Sequence, residues 1–509
     1  MTRARSALLV LLPAVAVVLA GQPAAQTGAP RFDSAAAVTA DDRAVVSIED
    51  GAAFSPSPKR RVVIVASFDD PEAEPRVREA VRWFSAAAPD SVRSQWSFAA
   101  LPSSPRSVAP RLARWATLQA PDLIVEIGGA APTWAAVLTP EATAGLGAAP
   151  VVAIGMGGDL GGILSRTLGD APTAHATVSL AIAARVTRDP LAIARVLARR
   201  YPETPAISYI PAVAWSQTLR LAGVVRDESL REKVRQQTRP WIAGEKKLFG
   251  DRVQLTAVAG TMIFAELAAA GDAGAAPLAE QGATLAAAEK AGSVAEYGQG
   301  WTDDMFMGTS VLARTGAQPG HEKDLDTAAH RLIAYASRLQ RPDGLFNHAT
   351  DGPVAWGRGN GFAALGLIDA LTRLPDRHPD RETLLGIYRR QMAAALVQQA
   401  PDGMWRQIID EPGAYREETA TAMLLSAMAR GVRLGWLDRS YAPAVQRAWR
   451  ALAAHVADDG TVVDVCANTG AGPTRRYYFD RPAVTGADDR GGAMALLASM
   501  EIYELGNAR

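Results

Sequence analysis

The chain predicts a mostly helical protein, with a small α/β domain ahead of a long all-α domain. Three observations carry this. β-branched runs stop near Ala174, and Ala- and Leu-rich stretches of helical period follow to the end. Those stretches alternate between two sets. Asp-Gly recurs at Asp343-Gly344, Asp402-Gly403 and Asp459-Gly460, spaced 59 and 57 residues apart, each time between a helix of one set and a helix of the other.

Taken in order, Arg3 and Arg5 precede an unbroken apolar run, Ala7 to Ala20, and small residues follow. This is the pattern of a signal peptide over 1–25, and the run is short for a membrane span. It predicts an exported protein, periplasmic or secreted, free of the membrane after cleavage. Residues 26–57, rich in Ala, Pro, Ser and Gly, read as a loose leader. Arg61 to Ala66, Asp122 to Ile127 and Pro150 to Ile154 are short β-branched runs separated by amphipathic stretches. They predict a small α/β domain over 58–175 with a largely parallel sheet. Its loop Ala66 to Asp70 and its glycine run Gly155 to Gly162 carry no motif complete enough for chemistry, so the domain reads as non-catalytic.

From 178 to 509 the helical stretches pair. One set holds Leu191–Arg200, Leu230–Ile242, Leu278–Lys290, Leu325–Leu339, Leu384–Gln399 and Val445–Val456; the other begins near Ile207, Leu255, Trp301, Asn360, Glu417 and Asp489. The second set carries the small residues, among them Gly359, Gly361, Ala363, Ala420, Gly491 and Gly492. Small residues suit a crowded inner ring, so six pairs make a toroid with one ring inside the other. An open α-solenoid shares the period. A toroid closes on itself, which predicts that 178–509 folds and acts alone.

Composition narrows the function. Lys+Arg and Asp+Glu are both 53, and the net charge is zero. A nucleic-acid binder needs a basic stripe to displace counterions from phosphates. One cysteine, Cys466, allows no internal disulfide. The six histidines are scattered with no partner at ligand spacing, so neither a metal nor another cofactor is expected.

Three polar clusters lie at the mouths of predicted helices: Trp301-Thr-Asp-Asp304; Phe346-Asn-His348-Ala-Thr-Asp351 running into Trp356-Gly-Arg358-Gly-Asn360-Gly361; and Trp405-Arg-Gln407 with Glu417-Glu418-Thr419. Aromatic faces stack on sugar rings, arginine forks a carboxylate, and an aspartate can carry a proton. Such a set suits an anionic sugar. Competing structural readings exist for each: a turn at Asp351, a helix cap at Asp303 or Asp304, a core role for Trp356 and Trp405, an inner-helix start at Glu418.

These motifs, with Gly344-Leu-Phe-Asn-His348, Gly431 to Gly435 and Gly491 to Ala498, resemble the unsaturated rhamnogalacturonyl hydrolases and the related unsaturated glucuronyl hydrolases over roughly 180–507. The resemblance implies an (α/α)6 barrel. It implies removal of a 4,5-unsaturated uronic acid from the non-reducing end of lyase-generated pectin oligosaccharides, by hydration of a vinyl ether. The alternatives are glycosaminoglycan or ulvan products, or saccharide binding without turnover. The implied acid is Asp351, three residues after His348 and kept protonated by burial or by a neighbouring carboxylate such as Asp304, supported by Asp304 with Asp303 as its near alternative. Implied sugar contacts are Asp303, His348, Trp356, Arg358, Asn360, Trp405, Gln407 and Glu418. The family's usual Gly-Trp after the histidine is Ala349-Thr350 here.

Overall fold

The computed structural model describes residues 32–51, 53–129, 131–288 and 300–508; the expected signal peptide, 1–25, lies outside them. A six-stranded sheet comes first, in the order β1-β2-β4-β3-β5-β6. Its centre is parallel: β3 (Arg60–Ala66) pairs with β4 (Trp96–Leu101) and β5 (Leu123–Ile127), and β5 with β6 (Val151–Ile154). β3 is buried along its whole length, as a parallel strand covered on both faces must be.

The stretch read as a loose leader is a correction. Phe32–Val38 is β1 and Ala44–Glu49 is β2, an antiparallel pair on the β4 edge. Alanine-rich strands lack the β-branched signal, but Ala37, Val45 and Ile48 are buried in the shared core. Strands also reappear late. β7 (Val462–Cys466) and β8 (Ala483–Gly486) form a hairpin-like pair before the last helix.

The helical region follows the two-set reading. One set is Pro190–Arg200, Glu228–Ile242, Ala276–Ala287, Glu322–Leu339, Arg381–Val397 and Ala442–Ala454. The other is Tyr209–Val225, Leu255–Gly260 with Met262–Ala269, Asp304–Met307 with Thr309–Thr315, Gly357–Arg373, Glu418–Arg433 and Asp489–Asn507. Members of this second set touch in sequence order, and Asp489–Asn507 packs back on Tyr209–Val225, so the contacts run in a cycle. The axis-side helices are crowded. A Cβ on Gly366 would lie 1.8 Å from the Met305 carbonyl oxygen, and one on Gly492 would lie 2.1 Å from the Tyr201 ring. The small residues of the second set are a packing requirement.

The Asp-Gly turns repeat in three dimensions. Gly344, Gly403 and Gly460 have φ of 98°, 100° and 84°, open to glycine at little cost. Gly344 presses on the backbone of Arg390, Gly403 on that of Arg447, each in the next outer helix; Gly460 meets Val196 in the first outer helix. Gln340 Nε2 donates to the Gly344 and Ile387 carbonyls, and Gln399 Nε2 donates to those of Gly403 and Ala444. The same device therefore staples two successive pairs; at the third turn Val456 stands where the glutamine would be, and the Tyr201 hydroxyl donates to the Gly460 carbonyl instead, joining the last pair to the first.

Sheet and helices share buried contacts. Arg416, between two helices, donates to Glu49 of β2 at 3.0 Å and to Asp402 at 2.9 Å, all three nearly solvent-free. Trp115 Nε1 also donates to Glu49. Arg61 to Arg509 and the two added strands belong to one compact unit. Arg416→Met should cost about 3–5 kcal/mol, because two buried carboxylates lose their partner. Urea denaturation measures this, and a loss under about 1 kcal/mol would show the bridge to be incidental.

Candidate active site

Five of the axis-side helices start at Tyr209, Asp304, Gly357, Glu418 and Asp489, next to most of the polar residues singled out in the sequence. Their starts lie together. Tyr209, raised to about 12 by burial, also feels Arg358, Asp303, Arg490 and Asp488. Helix N-termini carry unpaired N–H groups and partial positive charge, so a mouth ringed by them favours an anion.

At this mouth a hydrogen-bonded chain runs through His348. Its Nε2 is 3.1 Å from Asp303 Oδ2 and its Nδ1 is 2.8 Å from the Tyr478 hydroxyl. The Gly472 N–H donates to that hydroxyl at 3.1 Å, which leaves the hydroxyl proton for Nδ1. Nε2–H then donates to Asp303, and the tautomer follows from the partners. His348 is fully buried, with the Trp356 ring tilted against it at 4.4 Å and that of Trp301 at 5.5 Å. Asp303 keeps 14% of its side-chain surface open to solvent. It is the carboxylate that a ligand at this mouth can reach.

Asp304, one residue on, points elsewhere. Its Oδ2 accepts from the Tyr335 hydroxyl at 2.6 Å and from the N–H groups of Gly300 and Trp301. Burial pushes it up to about 7, against the pull of Tyr335 and with the charge of Asp303 adding to the rise. It pins the turn that presents Asp303.

Glu417 and Glu418 divide in the same way. Glu417 caps its helix, accepting from Thr419 and Ala420, and takes the Cys466 N–H at 2.7 Å. Both carboxyl oxygens of Glu418 are buried with no partner. Burial, then Glu417 and Asp488, push this carboxyl well above the usual range, which favours its protonated form.

Other sequence candidates have structural partners within the fold. Asn360 bridges the Phe346 N–H and the carbonyls of Phe346 and Trp356. Trp405 is buried, with Nε1 on the Ala395 carbonyl. Arg358 spends Nη1 and Nη2 on the Cys466 and Ala467 carbonyls at the end of β7, leaving only Nε unpaired. Gln407 Nε2 reaches the Tyr478 carbonyl at 3.4 Å and its Oε1 has no partner. Asp351 lies on an exposed turn, so the burial expected to keep it protonated is not there. It stays within electrostatic reach of Tyr478. Tyr209, Tyr478, Asp488 and Arg490 were missed; only their positions at helix starts or inside the late insert signal them.

Among the described residues, no group of three or more His, Cys, Asp or Glu is arranged to hold a metal ion.

Residues 193–505 match Glycosyl Hydrolase Family 88, and the chain belongs to that family. It is 30% identical over 192 residues to the unsaturated rhamnogalacturonyl hydrolase YesR of Bacillus subtilis, covering 36% of this chain and 54% of that protein. It is 31% identical over 192 residues to an unsaturated 3S-rhamnoglycuronyl hydrolase of Formosa agariphila, covering 34% of this chain and 51% of that one. The chain thus spans about half the length of the curated relatives it matches. Among solved structures, a possible member of the GH105 family from Salmonella enterica aligns with a TM-score of 0.56 at 20% identity, over 62% of this chain and 94% of that one. A family 105 glycoside hydrolase from C. acetobutylicum aligns at 0.55 and 21%, over 62% and 98%. At such identities the likeness is one of fold.

Asp304 makes a pH prediction. Its carboxyl is raised in the folded protein, from 3.8 to about 7, so the stabilisation is fully present below pH 4 and is lost as pH rises through 7. Asp304→Asn resembles the protonated form and should flatten the fall in urea stability between pH 4 and 7. An unchanged slope in this variant would assign the pH dependence to other groups.

Proposed function

We propose that this chain hydrolyses 4,5-unsaturated uronyl oligosaccharides, with Asp303 rather than Asp351 as the proton donor. The observation that carries the reading is the Asp303–His348–Tyr478 chain at the mouth of helix N-termini. Family membership and the names of the relatives support the substrate class. The cycle of helix contacts supports an (α/α)6 barrel.

In this reading the sugar ring lies against Trp301, and its carboxylate faces the helix N-termini. The negative charge of the bound sugar's own carboxylate favours the protonated form of Asp303, which then gives its proton to C4 of the vinyl ether, whose π electrons form the new C–H bond. Positive charge develops at C5 and the ring oxygen. The Asp303 carboxylate is then steadied by the His348 N–H and accepts a proton from the water that adds to C5. The resulting hemiketal collapses, the ring opens and the aglycone leaves. Pectin-derived rhamnogalacturonan fragments are the first choice of substrate, in line with the relative from Bacillus subtilis. Export through a signal over 1–25, and a non-catalytic role for the sheet region, belong to the same reading.

The test is loss of the absorbance of the conjugated double bond in lyase-generated disaccharides from pectin, ulvan and glycosaminoglycans. Asp303→Asn should lower turnover by at least roughly a hundredfold while binding persists. Asp351→Asn should retain most of it. The reverse ranking would return the acid to Asp351, and binding without absorbance loss on every substrate would make the protein a saccharide binder.

A further inference from the structure

The axis-side helices have a second mouth. At their C-terminal ends lies a cavity of about 930 Å³, lined among others by Arg220, Leu267, Arg314, Asp369, Arg430 and Glu504, from all six members of the ring. Arg358 and Arg373 start and end one helix, which sets the two mouths roughly 22 Å apart at 1.5 Å per residue. Aromatic packing fills the space between: Tyr209 on Phe362 at 5.5 Å and Phe306 on Phe362 at 6.0 Å. The cavity is therefore not part of the site described above.

Its walls are an ion-pair network. Arg220 holds Glu501 at 2.7 Å and Glu504 at 2.6 Å. Arg314 holds Glu266 at 2.8 Å and Asp369 at 2.6 Å. Arg430 joins Asp369 to Glu501, and Arg433 joins Glu501 to Glu504. Arg231 and Arg235 at the rim pair outward with Glu228. On the inner walls Arg220, Arg314, Arg373, Arg430 and Arg433 face Glu266, Asp369, Glu501 and Glu504, an excess of one positive charge there, while Asp272, half-buried, lines the cavity as well and accepts from the Gly274 N–H.

The excess falls on Arg373. Its one hydrogen bond goes to the Asp369 carbonyl in its own helix. Its nearest carboxylate oxygen, on Asp369, is 3.6 Å away and already serves Arg430. Burial, then the neighbouring Arg314, pull this guanidinium down to about 10. Arg433 Nε is buried beside the same cavity without a partner. Arginines at helix C-termini answer the negative end of the dipole. That accounts for their presence, but not for donors left over around a chamber of ligand size.

We propose that this cavity is a second binding site, for a compact oxyanion: a carboxylate or phosphate group on a small hydroxylated ligand. Arg373 supplies the charge, and the carboxylates of the wall accept from hydroxyls. Small-molecule sites run to roughly 300–1,000 Å³, which leaves room here for a ligand up to about disaccharide size. The site is independent of the proposed hydrolytic reading.

Isothermal titration of the full chain with inorganic phosphate and with glucuronate, and with glucose as the uncharged control, tests this. Saturable, salt-sensitive binding of at least one anion is expected, with glucose silent. Arg373→Gln should weaken it at least tenfold. Thr372→Trp, a change at an exposed position on the cavity wall, should block it by filling the chamber, and it decides the matter if Arg373→Gln does not fold. Asp303→Asn should leave it intact. Preference for phosphate or for glucuronate tells which oxyanion the site takes. No saturable binding of either, or binding that survives Thr372→Trp, would overturn the proposal.

Discussion

The close approach of the axis-side helices governs much of this structure. Where Gly366 meets the Met305 carbonyl and Gly361 meets the Met423 side chain, there is no room for one more carbon. Helices packed so tightly gather their ends. At one end they gather N–H groups and partial positive charge, at the other carbonyls and partial negative charge. The polar residues sort accordingly. Acids and acid-bearing caps, Asp303, Asp304, Glu417, Glu418 and Asp488, crowd the first mouth. Arginines crowd the second. A uronate and a helix N-terminus are complementary before any side chain is considered, which makes this end of the ring the natural place for chemistry on an acidic sugar.

Two pairs of adjacent acids show how that mouth is built. In each, one member is used by the backbone and the other faces the site. Asp304 holds the turn at Gly300 and Trp301, while Asp303 meets His348. Glu417 caps its helix and ties down β7 through Cys466, while Glu418 is left unpartnered. Successive residues on a helix differ by about 100° in direction, so a doublet can do both tasks only by dividing them. The buried members also keep the site from accumulating negative charge. With Asp304 raised to about 7 and Glu418 far above the carboxylate range, fewer full negative charges compete with an incoming anion.

Much of the ring was legible in the sequence, because its signals are local and repeated. The Asp-Gly turns stand at nearly equal spacing because each turns the chain from one set of helices to the other, with Gln340 and Gln399 as matching staples at the first two. The small-residue stripe reads directly as crowding. Other features are not local. β1 and β2 are alanine-rich and owe their strand form to pairing with β4 and to burial. Tyr478 is 130 residues from His348 and carries no motif. Asp351 was named through the family resemblance, and the sequence alone does not say that its turn faces solvent. Asn360 and Trp405 sit inside good motifs for a structural reason: one splints the loop that bears His348, the other anchors an outer helix.

Arg358 illustrates why a motif residue can matter without touching a ligand. An arginine between glycines looks designed to fork a carboxylate. Here both terminal nitrogens are held by carbonyls at the end of β7, and the guanidinium lies 4.8 Å over the Trp356 ring. Those contacts tie three things together: the helix start at Gly357, the aromatic wall under His348, and the late strand pair. The segment that leaves β7 delivers Tyr478 to His348 before the chain returns through β8. Take Arg358 away and two strand-end carbonyls lose their donor, the wall loses its backing, and the tyrosine that sets the histidine's tautomer loses its frame. The arginine thus bears on Asp303 through His348, and the specificity of the motif comes from assembling that chain of contacts.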